Sequence, residues 1–335
     1  MVNKPNEAIL QVRGLTKHFN IAHGILAKPQ MLQAVDDATF TVNRGETLGI
    51  VGESGSGKST LGRMLLNLIE PTSGTAAFDG IELFPMDPAK EAILRRKMQM
   101  VFQDPYASLN PRLKIGAAIA EPIRANKVLS GRKQIEARVA ELLDLVGLPP
   151  EAAHSYPHEF SGGQRQRVGI ARALGVAPEF IVCDEVVSAL DVSIQAQILN
   201  LFAELKARLG LTYIFISHDF SVIKHVSDQI LVMYLGEIVE IAPSERLFEE
   251  PAHPYTRALI SAIPEPDVDT VSEKILLEGD IPSAVSPPPG CRFSTRCYMV
   301  REECRSIHPA LVAIGEGHLV RCPYSRSAKE GKANG

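Results

Sequence analysis

Residues 52–60 read Gly52-Glu53-Ser54-Gly55-Ser56-Gly57-Lys58-Ser59-Thr60, a glycine-rich loop closed by Lys-Ser. Gly52, Gly55 and Gly57 let the backbone curl until several N–H groups converge on one anion. A helix start behind such a loop adds partial positive charge. Lys58 can then reach the outer phosphates of a nucleotide, and the Ser59 hydroxyl is placed to ligate Mg²⁺. The flanks agree with this chemistry. Thr47–Val51 reads as a buried strand, and Leu61–Ile69 carries apolar residues at helical spacing. A plain turn before a helix is the alternative, and it accounts poorly for three spaced glycines followed by Lys-Ser.

Three further groups carry chemistry. Phe180-Ile181-Val182-Cys183 is an apolar run ending in Asp184 and Glu185. Ligands of parallel sheets bind beyond the C-terminal strand ends, so Asp184 is placed to hold Mg²⁺ and Glu185 to orient or deprotonate a water. The run from Thr212 to Ser217 repeats that logic and delivers His218 toward a terminal phosphate, while Asp219 is an N-cap for a helix over 220–226. Ser161 reads as the N-cap of the next helix. Gly162 and Gly163 follow it in a first turn, where each costs up to about 1 kcal/mol, which is easier to understand if a phosphate approaches that backbone. Last, Cys291, Cys297, Cys304 and Cys322 crowd together near the C-terminus, apart from Cys183, which reads as a small core residue in its strand. In a reducing compartment such a cluster reads as metal-binding rather than as a disulfide frame.

The elements that position these groups follow from periodicity and punctuation. Short alternating strands are expected at 8–19 and 34–51, separated by a surface loop at His23–Pro29. A charged helix leads into a strand at Met98–Phe102. Helical patterns fill 104–160, most clearly at Gln134–Leu145, where Ile135, Val139, Leu142, Leu143 and Val146 form one stripe. Strands and helices alternate after Ser161, with a helix at Ser193–Leu209 ended by Gly210, which implies an α/β fold with a parallel sheet. Residues 243–266 are proline-punctuated, and the tail from Ser325 to Gly335 is polar and expected to be disordered.

The chain has 335 residues, enough for about two domains. Its formal net charge of −4 gives no global basic field for nucleic acid or anionic lipid. No stretch approaches the ~20 apolar residues of a membrane span, and the N-terminus lacks the apolar core of a signal peptide. A peripheral place in the cytosol is the expectation.

These motifs together resemble the ATP-binding cassette (ABC) ATPases. Ser161-Gly162-Gly163-Gln164 is similar to that family's signature, Gln103 to its glutamine loop, Ser188-Ala189-Leu190-Asp191 to the loop that crosses the dimer interface, and His218 to its switch histidine. Phe19, after Val12, Leu15 and Lys17, is similar to the aromatic that stacks on adenine. A narrower resemblance, to the ATP-binding subunits of bacterial oligopeptide/dipeptide permeases, rests on Phe102–Pro111, Asp184–Ser193 and His253-Pro254-Tyr255-Thr256. The loop at 20–33 and Gln164 favour the second of the two such subunits. Val186-Val187 departs from the family's usual Pro-Thr.

The resemblance implies a P-loop NTPase cassette over 8–245. It has a parallel-sheet core, an antiparallel β subdomain and a helical subdomain at about 104–162. A C-terminal extension with a four-cysteine module follows at 246–325, then a tail at 326–335. It implies ATP and Mg²⁺, with Ser59, Gln103 and Asp184 at the metal and with Lys58, Glu185 and His218 catalytic. Ser161, Gly162, Gly163, Gln164 and Asp191 would act in trans on a partner cassette's nucleotide. The implied partners are a second, paralogous ATPase subunit, two integral membrane permease subunits and, indirectly, an extracytoplasmic peptide-binding protein. The implied place is the cytoplasmic face of the inner membrane, and peptide import the implied work. The main rival, a soluble ABC ATPase acting on nucleic acid, fits poorly with a single cassette, no coiled-coil heptads and no basic patch.

Four thiolates suit either Zn²⁺ or an iron–sulfur cluster. The close Cys-x2-Cys knuckles of structural zinc are absent, and the wider spacing leans toward a cluster. Similar C-terminal segments of peptide-permease ATPases carry a [4Fe-4S] cluster, which the resemblance implies here. His308 and His318 lie among the cysteines and read as substitute ligands or, more plainly, as packing residues. A redox-sensing role and a structural staple are both open.

Overall fold

The computed structural model describes residues 7–21, 30–104, 108–263 and 274–325. The expected loop at His23–Pro29, the Pro105-Tyr106-Ala107 part of the permease-like run and the tail at 326–335 lie outside the described residues. The chain opens with strands β1 (Ala8–Ile21), β2 (Gln30–Asn43) and β3 (Thr47–Val51), followed by helix α1 (Lys58–Leu65). Next come β4 (Ser73–Phe78), β5 (Ile81–Glu82), α2 (Pro88–Lys97) and β6 (Met98–Val101). A helical stretch follows, with α3 (Ile115–Ala125), α4 (Arg132–Leu145) and α5 (Gly162–Leu174). Alternation resumes with β7 (Phe180–Asp184), α6 (Val192–Leu209), β8 (Thr212–Ser217) and α7 (Phe220–Val226). The chain continues through β9 (Gln229–Tyr234), β10 (Glu237–Pro243), α8 (Ser244–Glu249), α9 (Pro254–Ser261), β11 (Val312–Gly315) and β12 (His318–Val320).

The short strands expected over 34–51 are the end of β2 and the whole of β3. Gly45 turns the chain at positive φ between them, and the Glu46 carboxylate accepts the Asn43 N–H at 2.8 Å, which fixes the turn.

The residues form two compact units that interleave along the chain. The first comprises the described residues of Met1–Ile9, Val42–Thr47 and Phe78–Ser217. Its strands β6, β7 and β8 are parallel, with Met98 opposite Phe180 and Phe180 opposite Thr212. Every residue of β7 and β8 is buried, as their unbroken apolar runs require of a sheet covered on both faces. Phe202 of α6 meets Tyr213 and Phe215 edge-on, each at 5.5 Å. The α4 stripe Ile135, Val139, Leu142 and Leu143 is buried as the 3.6-residue period predicts, and Val146 just beyond the helix joins it.

The second unit comprises the described residues of Leu10–Thr41, Leu48–Ala77 and His218–Gly335. It holds β2, β1 and β4 side by side, and a second set in the order β11-β12-β10-β9-β3. Here the expectation of a parallel sheet needs correcting. β3 and β9 are parallel, whereas β9–β10, β10–β12 and β12–β11 are antiparallel. The cause is local: Leu235 and Gly236, both at positive φ, make a tight two-residue turn that returns the chain beside itself without a crossover. The C-terminal segment is sewn onto this set, with Val320 opposite Glu240 and Leu319 opposite Ile241. No helix among the described residues is long and apolar enough to cross a membrane.

Candidate functional site

The expected site residues divide between the units. Phe19, Gly52–Thr60, His218 and the four C-terminal cysteines belong to the second; Gln103, Ser161–Gln164, Asp184, Glu185 and Asp191 belong to the first.

The Gly52–Thr60 loop joins β3 to α1 as its sequence requires. Gly52 has φ 155° and Gly57 φ 101°, in the region that L side chains rarely adopt. A Cβ on Gly52 would lie 2.1 Å from the Met233 carbonyl oxygen, and one on Gly57 2.1 Å from that of Ala34. Both glycines are therefore required by φ and by space. Gly236 N–H donates to the Ser56 carbonyl at 3.0 Å, tying the loop to the β9–β10 turn. Lys58 is buried, and its Nζ donates to the carbonyls of Gly52 at 2.8 Å and Glu53 at 2.9 Å. The ammonium is thus held inside the curl of the loop, where phosphate oxygens would meet it. Ser59 and Thr60 are half-buried in the first turn of α1. Phe19 is half-buried near the end of β1, with Lys17 Nζ 5.0 Å from its ring centroid.

Glu53 stands apart from the loop's other residues. Its carboxylate takes a forked pair of bonds from Arg296, Nη1 to Oε2 at 2.7 Å and Nη2 to Oε1 at 3.1 Å. Glu53 N–H donates to Tyr255 Oη at 3.0 Å. Donating to the Glu53 carboxylate raises the Arg296 guanidinium above its usual range.

In the first unit, Asp184 is buried at the end of β7, opposite Ile216. Glu185 follows at φ 49°, a left-handed conformation costing a non-glycine residue about 1 kcal/mol. Its N–H donates to the Ile216 carbonyl at 3.0 Å, and Gln103 Nε2 donates to Glu185 Oε2 at 2.8 Å. Val186 and Val187 are buried, so the departure from Pro-Thr is filled by apolar packing. Gln195 Nε2 braces the loop by donating to the carbonyls of Val187 at 2.9 Å and Leu190 at 3.0 Å. Asp191 is exposed at the start of α6.

Ser161 caps α5 as expected. Its hydroxyl accepts the Gln164 N–H at 3.3 Å, and Gln164 Oε1 accepts the Ser161 N–H at 2.9 Å. Gly163 needs no approaching phosphate to account for it, because a Cβ there would lie 2.4 Å from Ile194 Cγ2. Close packing of α5 on α6 already demands glycine there. Ser161 and Gln164 are exposed.

His218 is exposed directly after β8, and Asp219 caps α7 by accepting the Ser221 N–H at 2.8 Å.

Cys291, Cys297, Cys304 and Cys322 all line one cavity of about 330 Å³, together with Phe293 and Tyr324. Burial pushes the Cys291 thiol up to about 12 and Cys297 up to about 11; it raises Cys322 as well. In each case a backbone N–H two residues on opposes the shift: Phe293 for Cys291, Met299 for Cys297, Tyr324 for Cys322. Thiols that are costly to ionise alone, yet already supplied with N–H donors, suit a cation that neutralises them. Among the described residues no three His, Cys, Asp or Glu side chains converge tightly enough for a single metal ion.

The sequence reading missed the residues that seat this segment. Glu237 and Glu240 are buried in β10. Glu237 Oε1 pairs with Arg292 Nε at 2.8 Å and His308 Nε2 at 2.6 Å. Glu240 Oε1 pairs with His318 Nε2 at 2.7 Å, and its carboxylate accepts the N–H groups of Ala252 and His253 at 2.7 and 2.9 Å. His308 and His318 are thus carboxylate partners. Two carboxylates in the otherwise apolar run Glu237-Ile238-Val239-Glu240-Ile241-Ala242 were the available signal, because a buried charge needs partners. Cys183 is fully buried in β7, as read.

Residues 35–188 match the family described as ABC transporter, and residues 239–304 match the oligopeptide/dipeptide transporter C-terminal region. The chain is 49% identical to a putative oligopeptide transport ATP-binding protein, YkfD, of Bacillus subtilis over 323 residues, 96% of this chain and 97% of that one. It is 47% identical to the dipeptide transport ATP-binding protein DppF of Haemophilus influenzae, over 95% of this chain and 97% of that one. Among solved structures, the dimeric ATP-binding cassette MJ0796 in a post-hydrolysis state with ADP and Pi is 28% identical, with a TM-score of 0.62. That match covers 70% of this chain and 98% of MJ0796. With a glycine loop that fits only glycine, a capped signature helix and these relatives over almost its full length, the chain belongs to the ATP-binding proteins of the ABC transporter family, in the branch that carries the oligopeptide/dipeptide transporter C-terminal region.

Proposed function

We propose that this chain is the ATP-hydrolysing subunit of a membrane importer of di- and oligopeptides, and that it works as one of a pair of cassettes. The phosphates are taken by the loop Gly52, Glu53, Ser54, Gly55, Ser56, Gly57, Lys58, Ser59 and Thr60, and the adenine by Phe19. Ser59, Gln103 and Asp184 would hold Mg²⁺, which would supply charge neutralisation at the transferred phosphoryl group. Glu185 orients and deprotonates the attacking water, and His218 contacts the terminal phosphate. Ser161, Gly162, Gly163, Gln164 and Asp191 serve the nucleotide of the partner cassette.

The observation that carries this reading is the end of β7. A buried carboxylate, Asp184, is followed by a second, Glu185, held at positive φ and hydrogen-bonded to Gln103. Backbone strain at a carboxylate is tolerated where a reaction fixes the side chain's position. The exposed hydroxyl of Ser161 at a helix start supports the role in trans. Import requires partners, here a paralogous cassette, two permease subunits at the cytoplasmic face of the membrane and an extracytoplasmic binding protein. The 8–245 cassette and 246–325 extension are the working division of the chain. Glu185→Gln tests the assignment: MgATP binding is kept while turnover falls by about a thousandfold. Turnover close to that of the parent would remove Glu185 from the mechanism.

In the same reading, Cys291, Cys297, Cys304 and Cys322 hold a [4Fe-4S] cluster. Supporting it are a common cavity lined by all four thiols and backbone N–H groups directed at three of them. A zinc ion would instead need all four sulfurs about 2.3 Å from one point. Iron, acid-labile sulfide and zinc are measured on anaerobically purified protein beside Cys297→Ser. About four irons with matching sulfide, lost in the variant, support the cluster; zinc alone replaces it with a structural ion.

A further inference from the structure

The loop between the first two cysteines, Cys291-Arg292-Phe293-Ser294-Thr295-Arg296-Cys297, is gripped at three points by the surroundings of the phosphate loop. Arg296 forks onto the Glu53 carboxylate, with its own side chain almost fully buried. Arg292 Nη1 donates to the Leu235 carbonyl at 2.6 Å, and its Nη2 donates to Gln33 Oε1 at 2.6 Å and to Asp36. Leu235 begins the turn whose Gly236 N–H holds the Ser56 carbonyl. Between the two arginines, Phe293 is buried against Tyr234 at 5.2 Å and Tyr255 at 5.4 Å. Tyr255 in turn accepts the Glu53 N–H. A six-residue spacing thus connects two cysteines to both the second residue of the phosphate loop and the turn behind its fifth.

None of these contacts belongs to phosphate binding as such. Glu53 is acidic and would repel a nucleotide's phosphates if its carboxylate swung into the loop. The forked pair does two things at once. It neutralises that carboxylate with a planar, bidentate partner, and it fixes the direction of the Glu53 peptide, whose carbonyl is an acceptor for Lys58. Loss of the grip would free an acidic side chain beside the anion site.

We propose that Arg296 is a positioning residue for the nucleotide site: by holding Glu53 from the Cys291–Cys297 loop it keeps the phosphate loop ready for MgATP, so that the state of the four-cysteine module sets nucleotide affinity. The metal half of this statement rests on the cluster reading above; the Arg296 half rests only on the ATP-binding loop. Coupling of this kind is reciprocal, so nucleotide must stabilise the module's metal by the same factor by which the metal tightens nucleotide.

The test uses the full chain and the fluorescent analogue MANT-ATP with Mg²⁺. Arg296→Ala is expected to weaken binding about fivefold or more, within the range of coupling between linked sites. At saturating ATP kcat changes less than about twofold, so the loss falls on KM. Glu53→Ala with Arg296→Ala is expected to cost no more than Arg296→Ala alone, since the two act as one pair. Arg296→Lys keeps the charge, loses the fork, and is expected to recover part of the affinity; it also serves if the alanine variant does not fold. Removing the metal with an iron chelator weakens binding in the parent and has little further effect in Arg296→Ala. Parent-like affinity in Arg296→Ala with a lowered unfolding midpoint would make the pair a structural staple and overturn the proposal, as would additive effects of the two substitutions. If the parent itself does not bind MANT-ATP, the ATPase reading fails and this proposal falls with it. If Arg296→Ala weakens binding but chelation does not, Arg296 stands and the link to the metal is withdrawn.

Discussion

The phosphate loop and the four-cysteine loop lie in the same unit and solve the same problem in different ways. Each presents backbone N–H groups, the first to the phosphates of the proposed nucleotide and the second to cysteine sulfurs. The phosphate loop does it with its own residues: Gly52 and Gly57 sit where no side chain fits, and Lys58 is folded into the curl that they make. The cysteine loop adds support from outside to its own N–H groups. Its thiols receive N–H groups from residues two places on, and the segment is seated by ion pairs from outside, Glu237 with Arg292 and His308, Glu240 with His318. Backbone donors can thus be held in place by a short string of residues alone or with the help of distant partners. Only the first kind is separable from the stability of the fold.

Separability gives the largest expected effect. Lys58→Ala removes a buried ammonium that lies at the centre of the phosphate loop. Charge-assisted bonds to phosphate of this kind contribute about 1.5–3 kcal/mol each, so affinity for MgATP is expected to fall by about a hundredfold or more. The unfolding midpoint, and the iron content if the proposed cluster is held, are expected to stay near those of the parent. Titration with MANT-ATP beside iron analysis checks both. A variant that loses iron along with nucleotide would show that Lys58 also helps to seat the cysteine loop.

The cysteine region should behave in the opposite way. Glu240 is fully buried, and its carboxylate holds one histidine side chain and two backbone N–H groups. Replacing it with alanine leaves buried donors without an acceptor. A loss of about 3 kcal/mol in unfolding free energy is expected, read by urea denaturation of the full chain. A loss below about 1 kcal/mol would mean that β10 does not depend on this carboxylate, and the contrast between the two regions would weaken.

Legibility in the sequence follows the same division. The glycine loop, the Ser161 cap, the Asp219 cap and the burial stripe of α4 were readable because each is decided within one turn or one helix by φ, capping or periodicity. The antiparallel return at Leu235-Gly236 was not, since a non-glycine residue at positive φ gives no warning in a single sequence. Gly163 was noticed for a different reason from the one the structure supplies, because contact with Ile194 joins residues 31 positions apart. Arg292 and Arg296 carried no motif at all. Their meaning lies in Glu237, Asp36 and Glu53, which are distant in sequence and adjacent only in the fold.

His253 offers the smallest effect and the sharpest test of how the cysteine region is seated. Its Nδ1 accepts the Tyr255 N–H at 3.1 Å and so caps α9, while its own N–H donates to Glu240. A capping acceptor must be unprotonated. Burial, together with Arg257 and Arg321 and against the pull of Glu240, lowers the ring from 6.5 to about 4. The unfolded chain therefore binds a proton that the folded chain refuses between these values. Stability from this group is present in full above pH 6.5 and is lost as pH falls from there through 4. By pH 5 the loss is about 2 kcal/mol relative to pH 8. His253→Asn keeps an N-cap acceptor that does not titrate, so the unfolding free energy of that variant should lose less between pH 8 and pH 5 than the parent's. Acid release of a metal would lower both proteins alike, and the difference between them isolates the histidine. Equal slopes would mean that His253 does not carry the acid sensitivity of this region.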